Sequence, residues 1–147
     1  VLIEALRRED EPNAAGAVIW SLTRIGDAAV PSLAEELGAN EPLRRHRALE
    51  ALVKIGTDRS LGAVAAQVAH TDLRVRARAN VVSGMRGDVG AVPALVAQVA
   101  VGDLDIEAGD VLVQLARRDR GLARELTRAG IRAAAPARDL LRDRGAR

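Results

Sequence analysis

Apolar residues recur along this chain at two interleaved long periods. Leu22, Leu52, Val82 and Leu112 are spaced at 30 residues, and Ile25, Ile55, Met85 and Leu115 keep the same step. A second family of positions, Leu2, Leu33, Val64, Leu95 and Leu126, runs at 31, with Leu6, Leu37, Val68 and Val99 beside it. Two series of slightly different period call for two helices per repeat, joined by connections that vary by a residue. The short-range spacing is helical as well. Leu33 and Leu37, Val64 and Val68, and Leu95 and Val99 each lie four apart and stack on one helix face. Val18, Leu22 and Ile25, at i, i+4 and i+7, form one face too and are expected in the core. No segment alternates with period two over the length of a strand, and there is no Asn-Gly or Asp-Gly hairpin signal.

The pattern predicts a first helix type, A, over about 1–8, 29–38, 60–69, 90–101 and 120–129. A second type, B, is expected over about 13–25, 42–55, 72–86, 103–117 and 131–143. Gly26 and Gly56 follow the last apolar residue of their helices, where a left-handed cap costs glycine little. Pro31 and Pro93 fall in first helical turns, as do the prolines of Glu11-Pro12 and Glu41-Pro42. Asp72 and Asp103 are placed to cap two further B helices. The fold class is therefore all-α, with about five antiparallel helix pairs. No pair buries its apolar face alone, and stacking makes one continuous core.

Two stretches carry a family resemblance: EPNAAGAVIWSLTRIGDAAVPSLAEEL (11–37) and DLRVRARANVVSGMRGDVGAVPALVAQV (72–99). They resemble HEAT-like repeats of the short kind named after phycobilisome lyases. That pattern runs Asp-Pro-x-Val-Arg, then Ala-rich residues, Leu-Gly-x-Ile-Gly-Asp and Val-Pro-x-Leu. Asp72, Val75 and Arg76 match its first element, whereas Ala15 and Glu107 stand where other repeats would have the Arg. The resemblance covers the chain to about Leu115. It implies a right-handed α-solenoid whose B helices line a concave surface. Residues 1–147 read as a single repeat domain, and Pro136, inside the fifth B helix, marks the last pair (about 119–147) as a degenerate cap. Because the chain starts at Val1 within a helix, it reads as a fragment of a longer protein.

Composition narrows the function classes. Hydrophobic residues make up 48%, enough for a core, but aromatic residues make up 1%, and Trp20 is the sole example. A core of Ala, Leu, Val and Ile fits thin layers of closely packed helices. With no cysteine there is no disulfide, thiolate metal site or cysteine nucleophile, and the composition leans towards a cytoplasmic protein. No apolar run approaches membrane-spanning length, so no membrane partner is expected. The net charge of +2 is uneven: from Arg117 onward ten Arg face four acidic residues, a net of +6, which leaves −4 for the remainder.

Chemistry-bearing residues are sparse. His46 and His70 lie 24 apart, followed by Arg47 and Thr71, without the His-Glu pairs of the iron-binding HEAT hydroxylases. No metal, no cofactor and no catalytic residue is expected. Serines and threonines lie in no nucleophile elbow, and Thr57, Ser60 and Thr71 sit where capping explains them. GDVG (87–90) lacks the Lys and Ser/Thr of a phosphate loop. Base-directed chemistry, as in the HEAT-like alkylpurine glycosylases, wants aromatic platforms that one Trp does not supply.

The exposed side of the B helices remains. Stepping by 30 from Ala17, Trp20 and Arg24 gives Arg47, Glu50 and Lys54, then Ala77, Asn80 and Gly84, then Glu107, Asp110 and Gln114, with His46 and Arg76 beside them. Trp20 is the odd member of this ridge, since Glu50, Asn80 and Asp110 hold its place in the other repeats. The leading expectation is a non-catalytic scaffold that binds a protein, or another domain of its own chain, through this concave ridge. Arg44, Arg45 and Arg47, with Arg74, Arg76 and Arg78, form two basic clusters at B-helix starts. With the basic C-terminus they keep a nucleic-acid module as a second reading, although Glu36, Glu41, Glu50 and Asp72 are near enough to neutralise them. A HEAT-type lyase acting on a chromophore or its carrier protein is the third.

Overall fold

The computed structural model describes residues 1–8, 12–100 and 106–128. Among these the chain is helical, with no strand. The elements are α1 (Leu2–Arg8), α2 (Pro12–Ile25), α3 (Val30–Glu36), α4 (Pro42–Ile55) and α5 (Asp58–Ala65). They continue with α6 (Leu73–Met85), α7 (Val92–Ala100), α8 (Ile106–Arg118) and α9 (Arg120–Arg128). Short 3-10 turns at Gly26–Ala29 and Val89–Ala91 lead into α3 and α7. The punctuation acts as expected. Gly26 and Gly56 take φ of 66° and 68°, a left-handed conformation that glycine adopts without steric penalty. Pro42 opens α4, and Asp72 Oδ1 accepts the Arg74 amide at 2.9 Å at the start of α6. Asp103 and the expected helix over 131–143, with Pro136, lie outside the described residues.

The chain forms two compact units, Val1–Val82 and Ser83–Arg147. In the first, α1 packs on α2, α2 on α4, and α3 on both α4 and α5. Its core is aliphatic: Leu6, Ile19, Leu22, Leu33, Leu37, Leu52 and Val64 are all buried. Ala48 and Ala51 of α4 are wholly buried. Side chains this small let neighbouring helix backbones approach closely, which a core without bulky aromatics requires.

Three positions depart from the expected register. Helix α2 turns Ala15, Ile19 and Leu22 fully inward, with Val18 partly buried against the same core, but leaves Ile25 outside. Successive residues advance about 100° around a helix. Val18 and Ile25 therefore fall on the flank of that stripe, and Ile25 is 47% exposed. Met85, the last residue of α6, is exposed as well. Helix α5 stops at Ala65 and continues as hydrogen-bonded turns, with Gln67 N–H on Val64 O and His70 N–H on Gln67 O, both at 2.9 Å. Val68 sits in those turns and is exposed.

Polar ties link the helices of this unit. Glu36, buried at the end of α3, accepts Arg7 Nε of α1 at 2.9 Å and Arg44 Nε of α4 at 2.8 Å. Burial pushes its carboxyl up, but the Arg7 and Arg44 hydrogen bonds together outweigh that and hold it below the ordinary glutamate value. Thr57, before α5, donates its hydroxyl to Asp27, one repeat earlier, and accepts the Ser60 amide at 3.2 Å. The second unit buries Leu95, Val111, Leu112, Leu115 and Leu126. Gly84 is part of that packing. A Cβ there would lie 2.6 Å from Val111 Cγ1 and 2.9 Å from Leu95 Cδ1.

Candidate interaction surface

The outer side of α2 and α4 carries a pair of matching i, i+4 contacts. On α2 the Arg24 guanidinium lies over the Trp20 ring, 5.2 Å from its centroid, a cation–π geometry. On α4, one repeat later, Lys54 Nζ meets Glu50 Oε1 at 2.8 Å. The same two positions thus hold a cation leaning back on its neighbour one turn earlier, on an aromatic face in one repeat and a carboxylate in the next. Trp20 remains 60% exposed. The ring thus stands largely in water at a position that the next repeat fills with the charged Glu50.

Other ridge positions are not where stepping by 30 puts them. Arg47 is 6% exposed, and its Nη1 donates to Leu6 O at 3.0 Å. Ala17, the equivalent residue of α2, is exposed, whereas Arg47 faces the end of α1. Helix α4 has a covered flank, and Arg47 falls on it. There it satisfies one of the last carbonyls of α1, which the helix itself leaves unpaired. Asn80 is also buried, with its amide turned back to Arg76 O at 2.9 Å. Gly84 is packed inside the second unit rather than on a surface. Glu107, Asp110 and Gln114 are exposed on α8, in the second unit.

The two basic clusters are largely spent on the fold. Arg44 is committed to Glu36. Arg45 contacts Asp72 through Nε at 2.9 Å and Nη2 at 2.7 Å, and its Nη1 donates to Ala39 O and Asn40 O, each at 2.7 Å. Arg76 repeats that last arrangement, donating to His70 O at 2.6 Å and to Thr71 O at 3.4 Å. The expected neutralisation by Glu36 and Asp72 is therefore direct contact, whereas Glu50 pairs with Lys54 instead. The Arg45 hydrogen bonds hold Asp72 below the ordinary aspartate value against the opposing push of burial, with the Val75 and Arg74 amides adding to them. His70 is likewise structural. Its Nδ1 accepts the Asp72 amide at 2.9 Å, so Nε2 carries the proton and donates to Leu37 O at 3.0 Å.

His46 is different. It is exposed in the middle of a groove between α4 and α6. Towards the start of the helices the walls are Pro42, Leu73, Arg74 and Val75; towards the far end they are Glu50, Val53, Lys54 and Arg78. Leu49 floors both halves. Leu43 and Leu73, spaced at 30 on the first turns of α4 and α6, are exposed at 43% and 68%. Their 30-residue spacing matches that of the core series, yet both stand outside the core.

Among the described residues no group of three or more His, Asp or Glu could hold a metal ion. No helix among them is long and apolar enough to cross a membrane. The family model for HEAT repeats matches residues 1–83. The chain belongs to the HEAT-repeat family. HEAT repeats are in general protein-interaction modules. The match is to HEAT repeats as a class, and the lyase-type pattern is a finer assignment than it makes. Among curated proteins, none matches the chain.

Proposed function

We propose that this HEAT-repeat chain is a non-catalytic interaction module that binds a protein, or another domain of its parent, through the outer face of α2 and α4. The observation that carries this is Trp20: 60% exposed, held flat under Arg24, and replaced by Glu50 at the matching place one repeat on. Tryptophan and arginine are enriched where interfaces concentrate their energy. Covering the indole would remove apolar area from water at about 25 cal/mol per Å2. The Arg24 guanidinium and the Glu50–Lys54 pair would orient the partner at the rim. The direct contacts of Arg44 and Arg45 with Glu36 and Asp72 count against the nucleic-acid reading of that cluster.

The test is capture of partners from lysate of the source organism on the immobilised chain, wild type against Trp20→Ala and Arg24→Ala. The reading expects a partner retained by the wild type and lost by both variants while their circular dichroism is unchanged. Retention by Trp20→Ala, or loss of helicity in it, would contradict the assignment of Trp20 to recognition.

A further inference from the structure

We infer that α9 binds the phosphate backbone of duplex DNA through the row Arg120, Arg124 and Arg128, with Arg117 and Arg118 of the preceding turn beside it. This is a second surface, in the unit that does not carry Trp20, and it needs neither Trp20 nor Arg24.

Four observations select this occupant. The first is that the cations are uncommitted. All five arginines are exposed, and among the described residues no carboxylate lies within ion-pair distance of any of them. That separates them from Arg44, Arg45 and Arg76, which are spent on the fold. Of the two acids nearby, Asp119 is committed to the start of α9, where its Oδ1 accepts the Gly121 amide at 2.8 Å and the Leu122 amide at 3.2 Å. Glu125 follows Arg124 and so lies about 100° round the helix from it.

The second is spacing. Recurrence every four residues stacks the three arginines on one face, about 6 Å apart along the axis. Like charges at this spacing destabilise a helix, and anions lying along the row remove that repulsion. Each guanidinium fork grips a phosphate through paired hydrogen bonds. The row is about 12 Å long. That matches the width of the B-DNA major groove, so the ends of the row reach the phosphate strands that flank it. The deep, narrow major groove of A-form RNA does not offer that span.

The third is what surrounds the row. Leu126 of α9 is buried, and Leu122 and Ala123 are half-buried, so the helix exposes no large apolar side chain. A membrane surface takes up apolar side chains beside the basic ones, and a protein partner takes up an apolar anchor. Duplex DNA is held by its charge alone. Helix α9 has no aromatic residue on which the bases of a single strand could stack. The fourth is the charge of the chain. From Arg117 onward the net is +6, whereas the sequence before it carries −4, which directs a polyanion to this end.

The experiment is fluorescence anisotropy on the full chain with a fluorescein-labelled DNA duplex of mixed sequence. Saturable binding is expected. Affinity should fall about fortyfold or more between about 50 and 200 mM salt, because three phosphate contacts give a logarithmic salt slope of about −2.7. Arg120→Gln/Arg124→Gln/Arg128→Gln should weaken binding about tenfold or more at the lower salt and flatten that slope, with circular dichroism unchanged. Arg8→Gln/Arg59→Gln/Arg74→Gln removes the same charge from exposed positions of the first unit and should keep the wild-type slope and most of the affinity. Trp20→Ala should leave DNA affinity unchanged, so failure of one surface does not carry over to the other. Equal binding by the row variant, an equal loss in the charge-matched control, or a wild-type slope shallower than about −2 would each overturn the inference. So would tighter binding of an RNA duplex, a single-stranded oligodeoxynucleotide, polyglutamate, or vesicles of phosphatidylserine and phosphatidylcholine.

Discussion

Neighbouring residues on α4 face opposite fates, and that contrast is measurable. Leu52 is wholly buried in the aliphatic core of the first unit, whereas Glu50 lies at the surface beside Lys54. Leu52→Ala should cost about 2–5 kcal/mol through the cavity it leaves. Glu50→Ala should stay within about 0.5 kcal/mol of wild type in denaturant unfolding, as surface changes do. Equal losses would mean that the register of α4 is wrong. Arg47 belongs with Leu52 rather than with Glu50. Removing its guanidinium in Arg47→Ala leaves Leu6 O in α1 without its donor, and a buried polar group left unpaired costs about 1–3 kcal/mol. Chemical denaturation of that variant should show a loss of this size.

At the level of helices, polar ties should make the fold acid-sensitive. Glu36 joins α1, α3 and α4 through Arg7 and Arg44, and its carboxyl is held below the ordinary value of 4.5. A carboxyl depressed by folding contributes stability that is fully present above its unfolded value and is lost as pH falls through the folded one. Melting temperature should therefore fall on acidification below about pH 4.5, and Glu36→Gln should flatten that decline while lowering stability near neutrality. Packing gives a second handle. Gly84→Ala would force a methyl against Val111 and Leu95, and overpacking of this kind costs about 1–3 kcal/mol. Calorimetry of this variant should show the loss.

Helix positions were largely legible in the sequence because local chemistry sets them: Pro42 opens α4, Gly26 and Gly56 take left-handed caps, and Asp72 caps α6. The series Leu22, Leu52, Val82 and Leu112 proved wholly buried. Side-chain fates were less legible, because exposure depends on what lies on each flank of a helix. Arg47 and Ala17 occupy equivalent places one repeat apart, yet only Arg47 is buried. Ile25 and Met85 keep the apolar period but are exposed at the ends of their helices. The groove went unread for a related reason: it exists only once α6 lies beside α4, and no single segment carries its pattern.

For the molecule as a whole, helices pack within two compact units, and one exposed indole marks the surface proposed to matter. The central claim is that Trp20 serves binding and not folding. The most direct measurement is the dissociation constant of a partner recovered by Trp20-dependent capture, taken for wild type and for Trp20→Ala at matched helicity. Trp20→Ala should lose more than about 1 kcal/mol of binding, roughly a factor of five or more in Kd. Unchanged affinity, or a variant that loses its fold along with its binding, would contradict it.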